Sequence, residues 1–325
     1  MNPSELVNGG AVFSVLCLGS VGALWAGPEA PVLTPARAPA RTEDHATERI
    51  DASGLSIPLV DYPRLVSMCT VSDQVLLALV PAVRIAAVTE YSRGRPDGWR
   101  YPPGGSIRGD TSLEDLLSMD ADLFFVCSIG GRIDKVERAR EAGLVVFDLG
   151  DMHGLATLPA QIEAIGAVVG EPERAAALRE RWLGRMARVA ADVPEPDRPL
   201  AMYLSVYGDQ FFGGTTGSSY HDVLRTAGLV DLAAQAGFEG WPAYDAETLL
   251  SLNPSMIVTR TGGRSAICTH PLLASIEACQ DGGRVVELDG AALGDPGMGM
   301  LAAAEDLRRA VHGPESRATP VEASR

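Results

Sequence analysis

Short apolar runs alternate with amphipathic segments along most of this chain. The apolar, β-branched runs predict strands over 64–68, 84–89, 122–127, 144–149, 200–206, 256–260 and 285–288. Between them, apolar residues recur at helical spacing and predict helices over 72–80, 112–119, 133–142, 219–227 and 246–252. Strands that alternate with helices favour parallel sheets, so the pattern predicts an α/β fold with helices flanking the sheets.

A longer helical pattern occupies the middle of the chain. Leu178, Trp182, Met186 and Val189 recur on one stripe of the segment 172–192, which ends before a Pro-rich breaker. A helix of that length spans about 31 Å, roughly the diameter of a small domain. We therefore expect one long helix to join two α/β lobes. The predicted organisation is an N-terminal lobe at 54–153, connecting helices at 154–194 and a C-terminal lobe at 195–313.

The two halves share an internal repeat. At a constant offset of 133 residues, Glu114 aligns with Glu247, Leu116–Ser118 with Leu249–Ser251, and Leu123–Phe125 with Met256–Val258. Each copy has the pattern of a short helix, a two-residue turn and a buried strand. A related unit in each half supports two lobes of similar architecture, with a ligand cleft between them.

The two ends of the chain differ from the lobes. Residues 11–26 form an uncharged apolar run that is short for a membrane span but long enough for a secretory signal. We expect 1–26 to be a cleaved signal peptide or an N-terminal membrane anchor, and the protein to be exported to the periplasm. The Ala/Pro-rich segment 27–53 is predicted to be a linker, and 314–325 a disordered tail.

Composition narrows the range of partners. The chain has 27 Lys and Arg residues against 42 Asp and Glu residues, a formal net charge of −15 and a pI of about 4.8. Nucleic-acid backbones and anionic membranes attract clustered cations, so a chain this acidic is not expected to bind either. We expect a monomer with no nucleic-acid partner.

Four cysteines lie outside the predicted signal segment. Cys268 and Cys279 could close a short loop in an oxidising compartment, and Cys69 and Cys127 could pair at neighbouring strand ends or meet a ligand. Burial as free thiols is the alternative for both pairs. No C-x-x-C pair is present, which excludes the common zinc and dithiol redox motifs.

Motifs typical of enzymes are weak. The Gly-rich segment 213–218 lacks the Lys of a P-loop, and 297–302 matches G-x-G-x-x-A but lies near the C-terminus, where it is typical of a helix start. His153, His221 and His270 are far apart and not at helical spacing, which disfavours a metal cage. We therefore expect a protein that is not an enzyme and that has no metal site or cofactor of its own.

Several motifs occur together in one order. The segment 64–72 is predicted to be a strand that leads into a small polar turn and a helix, and 114–122 and 247–255 both approximate the pattern L-E-x-[IL]-L-[AS]-L-x-P-D. The segment 217–228 fits [GP]-S-[FY]-x-D-x-L-x-x-A-G with one additional Ser. In these motifs the chain resembles the helical-backbone class (class III) of periplasmic substrate-binding proteins, over about residues 60–312. That family serves ABC importers for ferric siderophores, haem and cobalamin.

The resemblance implies a function and partners. It implies a protein that captures a metal chelate (a ferric siderophore, haem or cobalamin) between its lobes and delivers it to an ABC permease with its ATPase subunits. In the family, an acidic residue on each lobe docks onto permease arginines, and the resemblance implies this role for Glu114 and Glu247. The helix dipole also explains a carboxylate in a first helical turn. The alternatives are a receptor for a free metal ion or metal oxyanion and, less favoured, a two-lobed metallocluster enzyme.

Candidate ligand contacts lie at strand ends and in loops, where parallel sheets bind ligands. Aromatic rings suit a bulky amphipathic chelate, and Arg suits the carboxylates that anionic chelates carry. The alternatives are a solvated role for each Arg and a core role for the Trp in 238–242. The predicted ligand-binding residues are Tyr91, Trp99, Tyr101, Arg132, Tyr207, Trp241 and Arg260. A single stiff helix between the lobes also predicts modest closure on binding.

Overall fold

The computed structural model describes residues 47–313, except for 96, 102, 128–132, 192, 196–197 and 209, and except for the side chains of 133–135. The chain divides into two units, 1–44 and 45–325, and all of the described residues lie in the second. The predicted signal segment 1–26 and the predicted tail 314–325 therefore lie outside the described residues. No helix in the described part of the chain is long and apolar enough to cross a membrane.

The N-terminal lobe is built on a five-stranded parallel sheet. Its elements are β1 (Glu48–Ile50), β2 (Ser56–Pro58), β3 (Leu65–Ser67), α1 (Thr70–Leu79), β4 (Ile85–Thr89), α2 (Glu90–Arg93), β5 (Gly105–Ile107), α3 (Leu113–Ser118), β6 (Leu123–Val126), α4 (Ile133–Glu141) and β7 (Val146–Asp148). The strand order in the large sheet is β5-β4-β3-β6-β7. Strands β1 and β2 form a separate antiparallel pair.

Two helices follow the first lobe, α5 (Leu158–Val168) and α6 (Pro172–Ala191). They pack closely at Gly166, where an added Cβ would lie 2.1 Å from the Ala175 Cβ. The predicted stripe of α6 is confirmed, because Trp182 and Met186 are buried and the other two members pack against the same core. That core also includes side chains of α1 and α5, and of elements in the second lobe, so α6 is packed against both lobes.

The C-terminal lobe contains two sheets. Its elements are β8 (Leu200–Tyr203), β9 (Ser205–Tyr207), β10 (Gln210–Phe212), α7 (Ser219–Thr226), β11 (Val230–Asp231), α8 (Leu232–Gln235), β12 (Ala243–Tyr244), α9 (Ala246–Leu252), β13 (Met256–Arg260), α10 (Gly263–Cys268), β14 (Arg284–Leu288), α11 (Gly290–Leu293) and α12 (Met300–His312). The larger sheet is parallel, with the order β11-β8-β13-β14. The smaller one is antiparallel, with the order β12-β10-β9. The predicted α/β fold is confirmed.

The internal repeat is also present in the backbone. Helices α3 and α9 begin at equivalent N-caps, Ser112 and Asp245, whose side chains accept hydrogen bonds from backbone N–H groups three residues later. At the other end, Asp120 and Asn253 are the only non-glycine residues with positive φ in the described chain, at 48° and 41°. They too are related by the offset of 133 residues. The same turn therefore places the same kind of strand, β6 or β13, next to the first strand of each parallel sheet.

Two boundaries differ from prediction. Residues 48–51 of the predicted linker 27–53 are part of the folded structure, because β1 belongs to a hairpin and Asp51 is buried. The Asp51 carboxylate accepts a 2.6 Å hydrogen bond from Arg140, which attaches this segment to α4. The strand expected over 200–206 is two strands, β8 and β9, which belong to different sheets.

Both candidate cysteine pairs form disulfides. Cys69 and Cys127 join the turns that follow β3 and β6, with their Cα atoms 5.9 Å apart. Cys268 and Cys279 close a short loop between α10 and β14, with their Cα atoms 5.4 Å apart. The alternative of buried free thiols is therefore wrong for both pairs in this structure.

Candidate ligand-binding site

The carboxyl ends of the two parallel sheets meet each other. After β4, the Tyr91 hydroxyl of the first lobe donates a hydrogen bond to the Ala291 carbonyl oxygen of the second. After β7, His153 Nδ1 lies 2.9 Å from the Gly217 carbonyl oxygen, and the Leu155 N–H donates to the carboxylate of Asp222 at 2.6 Å. Ligands of open α/β sheets bind outside the carboxyl ends of the strands, so this meeting place is the expected site.

A buried carboxylate holds the lobes together beside this site. Asp295 of the second lobe is fully buried and accepts hydrogen bonds from Gln74 and Arg95 of the first lobe. Burial is the largest influence on its pKa, which is raised, while Arg95 and the hydrogen bonds act in the opposite direction. The loop continues to Gly299, whose N–H donates to Gln74 Oε1 at 3.2 Å, and Met298, whose carbonyl oxygen accepts from the Trp182 indole at 3.0 Å. We call Asp295, Arg95 and Gln74 the interlobe latch.

This loop contains the G-x-G-x-x-A match of the sequence. A Cβ at Gly299 would lie 2.2 Å from a carboxylate oxygen of Asp295, so only glycine allows this approach. Helix α12 begins directly afterwards at Met300. The glycines therefore shape the latch and the helix start, as the position near the C-terminus suggested.

Three aromatic rings pack together at the carboxyl end of the second sheet. Tyr203, at the end of β8, stacks on Tyr220 of α7 with ring centroids 4.0 Å apart. Trp241 meets Tyr220 edge-on at 4.9 Å and Tyr203 at 6.1 Å. We call these three residues the aromatic cluster. Trp241 is 51% exposed whereas Tyr203 is buried, so the cluster offers one face to solvent and anchors the other in the lobe.

Burial determines the protonation of the two tyrosines. It raises the pKa of Tyr203 and, more strongly, that of Tyr220, whose pKa the nearby Tyr203, Tyr207 and Tyr91 raise further. Both phenols are therefore protonated at neutral pH. They present neutral rings and hydroxyl groups, and not phenolate oxygens.

The glycine-rich segment 213–218 explains why the rings pack this closely. A Cβ at Gly213 would lie 2.4 Å from the Tyr203 carbonyl oxygen, and one at Gly214 would lie 2.6 Å from the Tyr220 ring. Gly214 therefore makes room for the Tyr220 ring, and Gly213 lets the chain pass close to the Tyr203 backbone and the Tyr244 ring. That structural role accounts for a sequence that looks suited to phosphate.

A second pair of predicted residues lies next to the aromatic cluster. The Arg260 guanidinium at the end of β13 lies over the Tyr207 ring, 4.9 Å from its centroid, and donates to the Val206 carbonyl oxygen at 3.3 Å. Tyr207 is 57% exposed. A cation held against an aromatic face is available to an anionic group of a ligand while its position stays fixed.

The other predicted contacts have different surroundings. Trp99 is 82% exposed, on a single helical turn of the first lobe. Tyr101 is only 7% exposed and belongs to the main core, so a ligand contact there stays a prediction. Burial raises the pKa of Tyr101 to about 12, so its hydroxyl stays protonated inside the lobe. Arg132 lies outside the described residues.

The first lobe contributes a cavity of about 230 Å³ at the carboxyl edge of its sheet. Glu90, Tyr91 and Arg108 line its polar side, and Phe124 and Val146 are among the apolar side chains that line the rest. Tyr91 therefore borders this cavity and also bonds to the second lobe. The first lobe presents a mostly apolar hollow on its side of the meeting place.

Two histidines near the site are held by protein groups. His221 Nδ1 lies 2.8 Å from a carboxylate oxygen of Asp231, which also accepts from the Thr215 hydroxyl at 2.7 Å. His153 bonds to Gly217 and lies 3.7 Å from the Asp151 carboxylate. Among the described residues, no group of three His, Cys, Asp or Glu side chains is placed to hold a metal ion.

The two predicted docking residues occupy equivalent positions. Glu114 and Glu247 are exposed and are the second residues of α3 and α9. Each lies in the first helical turn behind a side-chain cap, which fixes the direction in which that turn faces.

Comparison with known proteins identifies the family. The model of the periplasmic binding protein family matches residues 65–292, which include nearly all of both lobes. The chain belongs to this family. It is a two-lobed binding protein, and the functional site of such a protein is the region in which the carboxyl ends of its sheets meet.

Individual relatives of this binding protein agree with the assignment. A cobalamin-binding protein of Halobacterium salinarum is 26% identical over 214 residues, 64% of this chain and 57% of the relative. This binding protein therefore spans little more than half of that relative's length. An uncharacterized ABC transporter substrate-binding lipoprotein of Bacillus subtilis, YvrC, is 21% identical over 232 residues, 70% of this chain and 73% of the relative.

A solved structure supports the fold independently. The crystal structure of the heme binding protein HmuT superposes on this binding protein with a TM-score of 0.67 and 22% identity, covering 81% of this chain and 89% of that one. At this identity the likeness concerns the fold, which is the expected two-lobed architecture.

Sequence reasoning missed three important residues of this binding protein. Tyr203 and Tyr220 lie in segments whose patterns predict a buried strand and a helix. In the sequence, only the Gly213-Gly214 pair between them could have indicated close packing. Asp295 lies between short motifs, far in sequence from Gln74 and Arg95. The contacts that reveal all three residues are made between elements that are distant in the chain.

Proposed function

We propose that this chain is the substrate-binding component of an ABC importer and that it captures a metal chelate between its lobes. Ferric siderophores, haem and cobalamin are the chelates of this class, and we propose cobalamin as the first to test. The observation that carries the proposal is the aromatic cluster of Tyr203, Tyr220 and Trp241. A face of neutral rings gives a large, bulky ligand apolar contact, and the rim hydroxyls give it hydrogen bonds.

The tyrosines of the site support recognition of a chelate through its organic part. Burial raises the pKa of Tyr203 and Tyr220, which favours the neutral form. The adjacent Tyr207–Arg260 pair adds one fixed positive charge for a carboxylate or phosphate of the ligand. These features suit recognition through the organic part of the chelate.

The relatives support cobalamin as the first candidate. The Halobacterium salinarum relative is named a cobalamin-binding protein and shares 26% of its aligned residues with this chain. The haem-binding neighbours share the fold at lower identity. We therefore place cobalamin ahead of haem, and haem ahead of a siderophore, for testing.

We further propose that the protein is exported and works in the periplasm as a monomer. Its N-terminal segment either anchors it to the membrane or is cleaved off as a signal peptide. Two disulfides support an oxidising compartment, because disulfides persist there and are rare in the cytosol. The name of the Bacillus relative, a substrate-binding lipoprotein, agrees with export. The uncharged apolar run at 11–26 is the expected targeting segment.

Delivery to the permease completes the proposal. Glu114 and Glu247 are exposed, one on each lobe, at equivalent positions of a repeated helix. We propose that they pair with arginines of the permease, whose ATPase subunits power import. One carboxylate per lobe would let the importer respond to the relative position of the lobes.

Two measurements test the proposed function. The first is native mass spectrometry of the protein isolated from the periplasm of its own host without refolding. We expect one adduct of several hundred daltons or more that is lost on denaturation, with a cobalt or iron signature. The second is titration of ligand-free protein with aquocobalamin, haemin and a ferric hydroxamate chelate, followed by tryptophan fluorescence and calorimetry.

The outcomes separate the alternatives. Saturable binding of aquocobalamin with one-to-one stoichiometry would support the proposal, and tighter binding of haemin would replace the first-choice ligand. If none of the three chelates binds while a metal ion or oxyanion does, the chelate proposal is wrong. A bound iron–sulfur or related cluster would instead favour an enzyme on a two-lobed scaffold.

A further inference from the structure

The repeated helices expose a second equivalent residue besides the glutamates. Leu117 of α3 is 44% exposed and Leu250 of α9 is 39% exposed, and the two are separated by the same offset of 133 residues. The leucines that precede them, Leu116 and Leu249, are at most 1% exposed. In each copy, one leucine of a pair therefore fills the core and the other faces solvent.

Each exposed leucine lies beside a docking glutamate. Glu114 and Leu117, like Glu247 and Leu250, are three positions apart, so their side chains share one face of their helix. The backbone on both sides is fixed in the same way in both copies, by an N-cap before the helix and a left-handed residue after it. We call Glu114 with Leu117, and Glu247 with Leu250, the two docking patches.

A single exposed leucine is ordinary on a protein surface. The same acidic and apolar pair at the same place in two copies of a unit is a more specific arrangement. A surface that binds both docking patches must offer the same complement twice. Each complement needs a cationic side chain for the carboxylate and an apolar contact for the leucine.

We propose that Leu117 and Leu250 are apolar anchors of the permease-docking surface, so that each docking patch meets a cation beside an apolar contact. This inference rests on the proposed delivery to a permease. It adds that docking is not purely electrostatic. In a small transient interface, a few such anchors supply most of the binding energy.

Site-specific photo-crosslinking in the native host tests the inference. Full-length protein carries p-benzoylphenylalanine in place of Leu117 or Leu250, and the cross-linked peptides are identified by mass spectrometry. We expect both positions to link to one permease polypeptide, and within the same segment of that polypeptide. The matched controls carry the same probe in place of Val83 or Leu272, which are also exposed apolar residues, one on each lobe, and lie outside the docking patches.

A functional measurement uses conservative variants. Leu117→Ala combined with Leu250→Ala should reduce chelate uptake roughly tenfold, whereas Leu272→Ala should leave it unchanged. The effect of the leucine variants should persist at high ionic strength. The effect of Glu114→Gln combined with Glu247→Gln should shrink as salt increases, because ion pairing is screened.

The results distinguish this inference from the proposed function. Cross-links from Leu117 and Leu250 to lipid alone, to unrelated segments, or at the level of the controls would overturn the inference, as would unchanged uptake by the leucine variant. Chelate binding by the isolated leucine variant is expected to equal that of the parent protein. If the parent protein itself binds no chelate, the proposed function is contradicted, whereas the inference about the docking patches is not.

Discussion

The two lobes share a framework but differ in what they present at the site. Both have a parallel sheet, and each contains the capped helix, left-handed turn and buried strand of the repeat. At the carboxyl edge of the first sheet lie the Cys69–Cys127 disulfide and a small hollow. At the corresponding edge of the second lie the aromatic cluster and the Tyr207–Arg260 pair.

This contrast separates the scaffold from the chemistry. The repeated parts position sheets and docking patches, which must be similar on both lobes if one partner is to hold both. The second lobe adds the small β12-β10-β9 sheet, in which Tyr207 is the last residue of β9, and the loop before β12 holds Trp241 near Tyr203. Ligand recognition is therefore expected to depend more on the second lobe, whereas the first contributes rigidity and cross-lobe contacts.

The largest expected effect is on stability, through the disulfides. The Cys69–Cys127 bond spans 58 positions and the Cys268–Cys279 bond spans 11. Replacing the first pair by alanine should lower the free energy of unfolding by about 4 kcal/mol, and the second by about 3 kcal/mol, because the longer loop restricts the unfolded chain more. Urea unfolding of the two double variants measures this order. Equal losses would show that the closed loop lengths do not control stability here.

The interlobe latch should have the next largest effect. Asp295→Ala leaves Arg95 and Gln74 without their shared acceptor in a buried place, so we expect about 3 kcal/mol lower unfolding free energy. The control is Asp306→Asn, which removes an exposed pair with Arg309 within one helix and should cost less than about 0.5 kcal/mol. Urea unfolding compares the two. Similar small losses would mean that the latch adds nothing to the joining of the lobes.

A pair of tryptophan variants tests the asymmetry of the lobes in ligand binding. Trp241→Ala removes a ring from the aromatic cluster and should weaken aquocobalamin binding roughly 30-fold, equivalent to about 2 kcal/mol. Trp99→Ala, on the first lobe, should change affinity less than about threefold, because that ring is exposed and away from the cluster. Calorimetric titration measures both. A larger effect at Trp99 would move the recognition surface to the first lobe.

The smallest expected effect is a pH dependence that differs between the lobes. Asp73 and Asp222 are the fourth residues of α1 and α7, and burial raises the pKa of both carboxyls. A raised pKa in the folded state adds stability that is fully present below the unfolded pKa, about 3.9, and is lost as pH rises through the folded value. Asp73 is fully buried and Asp222 is not. Asp73→Asn should therefore flatten the stability curve above pH 4 more than Asp222→Asn does.

Chemical denaturation at a series of pH values between 4 and 7 measures this difference. As pH rises, the unfolding free energy of Asp73→Asn should increase steadily relative to that of the parent protein. A gap that does not depend on pH would mean that Asp73 does not change its protonation in this range. A steeper pH dependence for Asp222→Asn would contradict the expectation that the more deeply buried Asp73 has the larger effect.

Much of the scaffold was predictable because its signals are local and repeated. The seven predicted strands all correspond to observed strands, and the stripe on α6 packs as its spacing indicates. The strands that were not foreseen, such as β5, β11 and β12, are two or three residues long. Segments this short hold too few side chains for an alternating pattern, and their neighbours in the sheet determine whether they pair.

The site was less predictable because its members meet through tertiary contacts. Trp241, Tyr207 and Arg260 follow strands or lie in loops, and this was enough to make them candidates. Tyr101 also follows that rule, yet the close turn at Gly98, where an added Cβ would lie 2.1 Å from the Arg93 carbonyl oxygen, is followed by a ring that packs into the core. Exposure of a loop side chain depends on the path of the backbone, which residue type alone does not specify.

The position of the latch in the chain has a consequence for biogenesis. Gln74 and Trp182 precede their partners in the 295–299 loop by 221 and 116 positions. During synthesis or vectorial passage through a translocation channel, the first lobe and α6 emerge long before that loop does. The latch therefore cannot form until the 295–299 loop has arrived, whereas the contacts of His153 with Gly217 and of Leu155 with Asp222 can form earlier. If the chain is exported as proposed, the two lobes acquire this last connection only after nearly all of the second lobe has crossed the membrane.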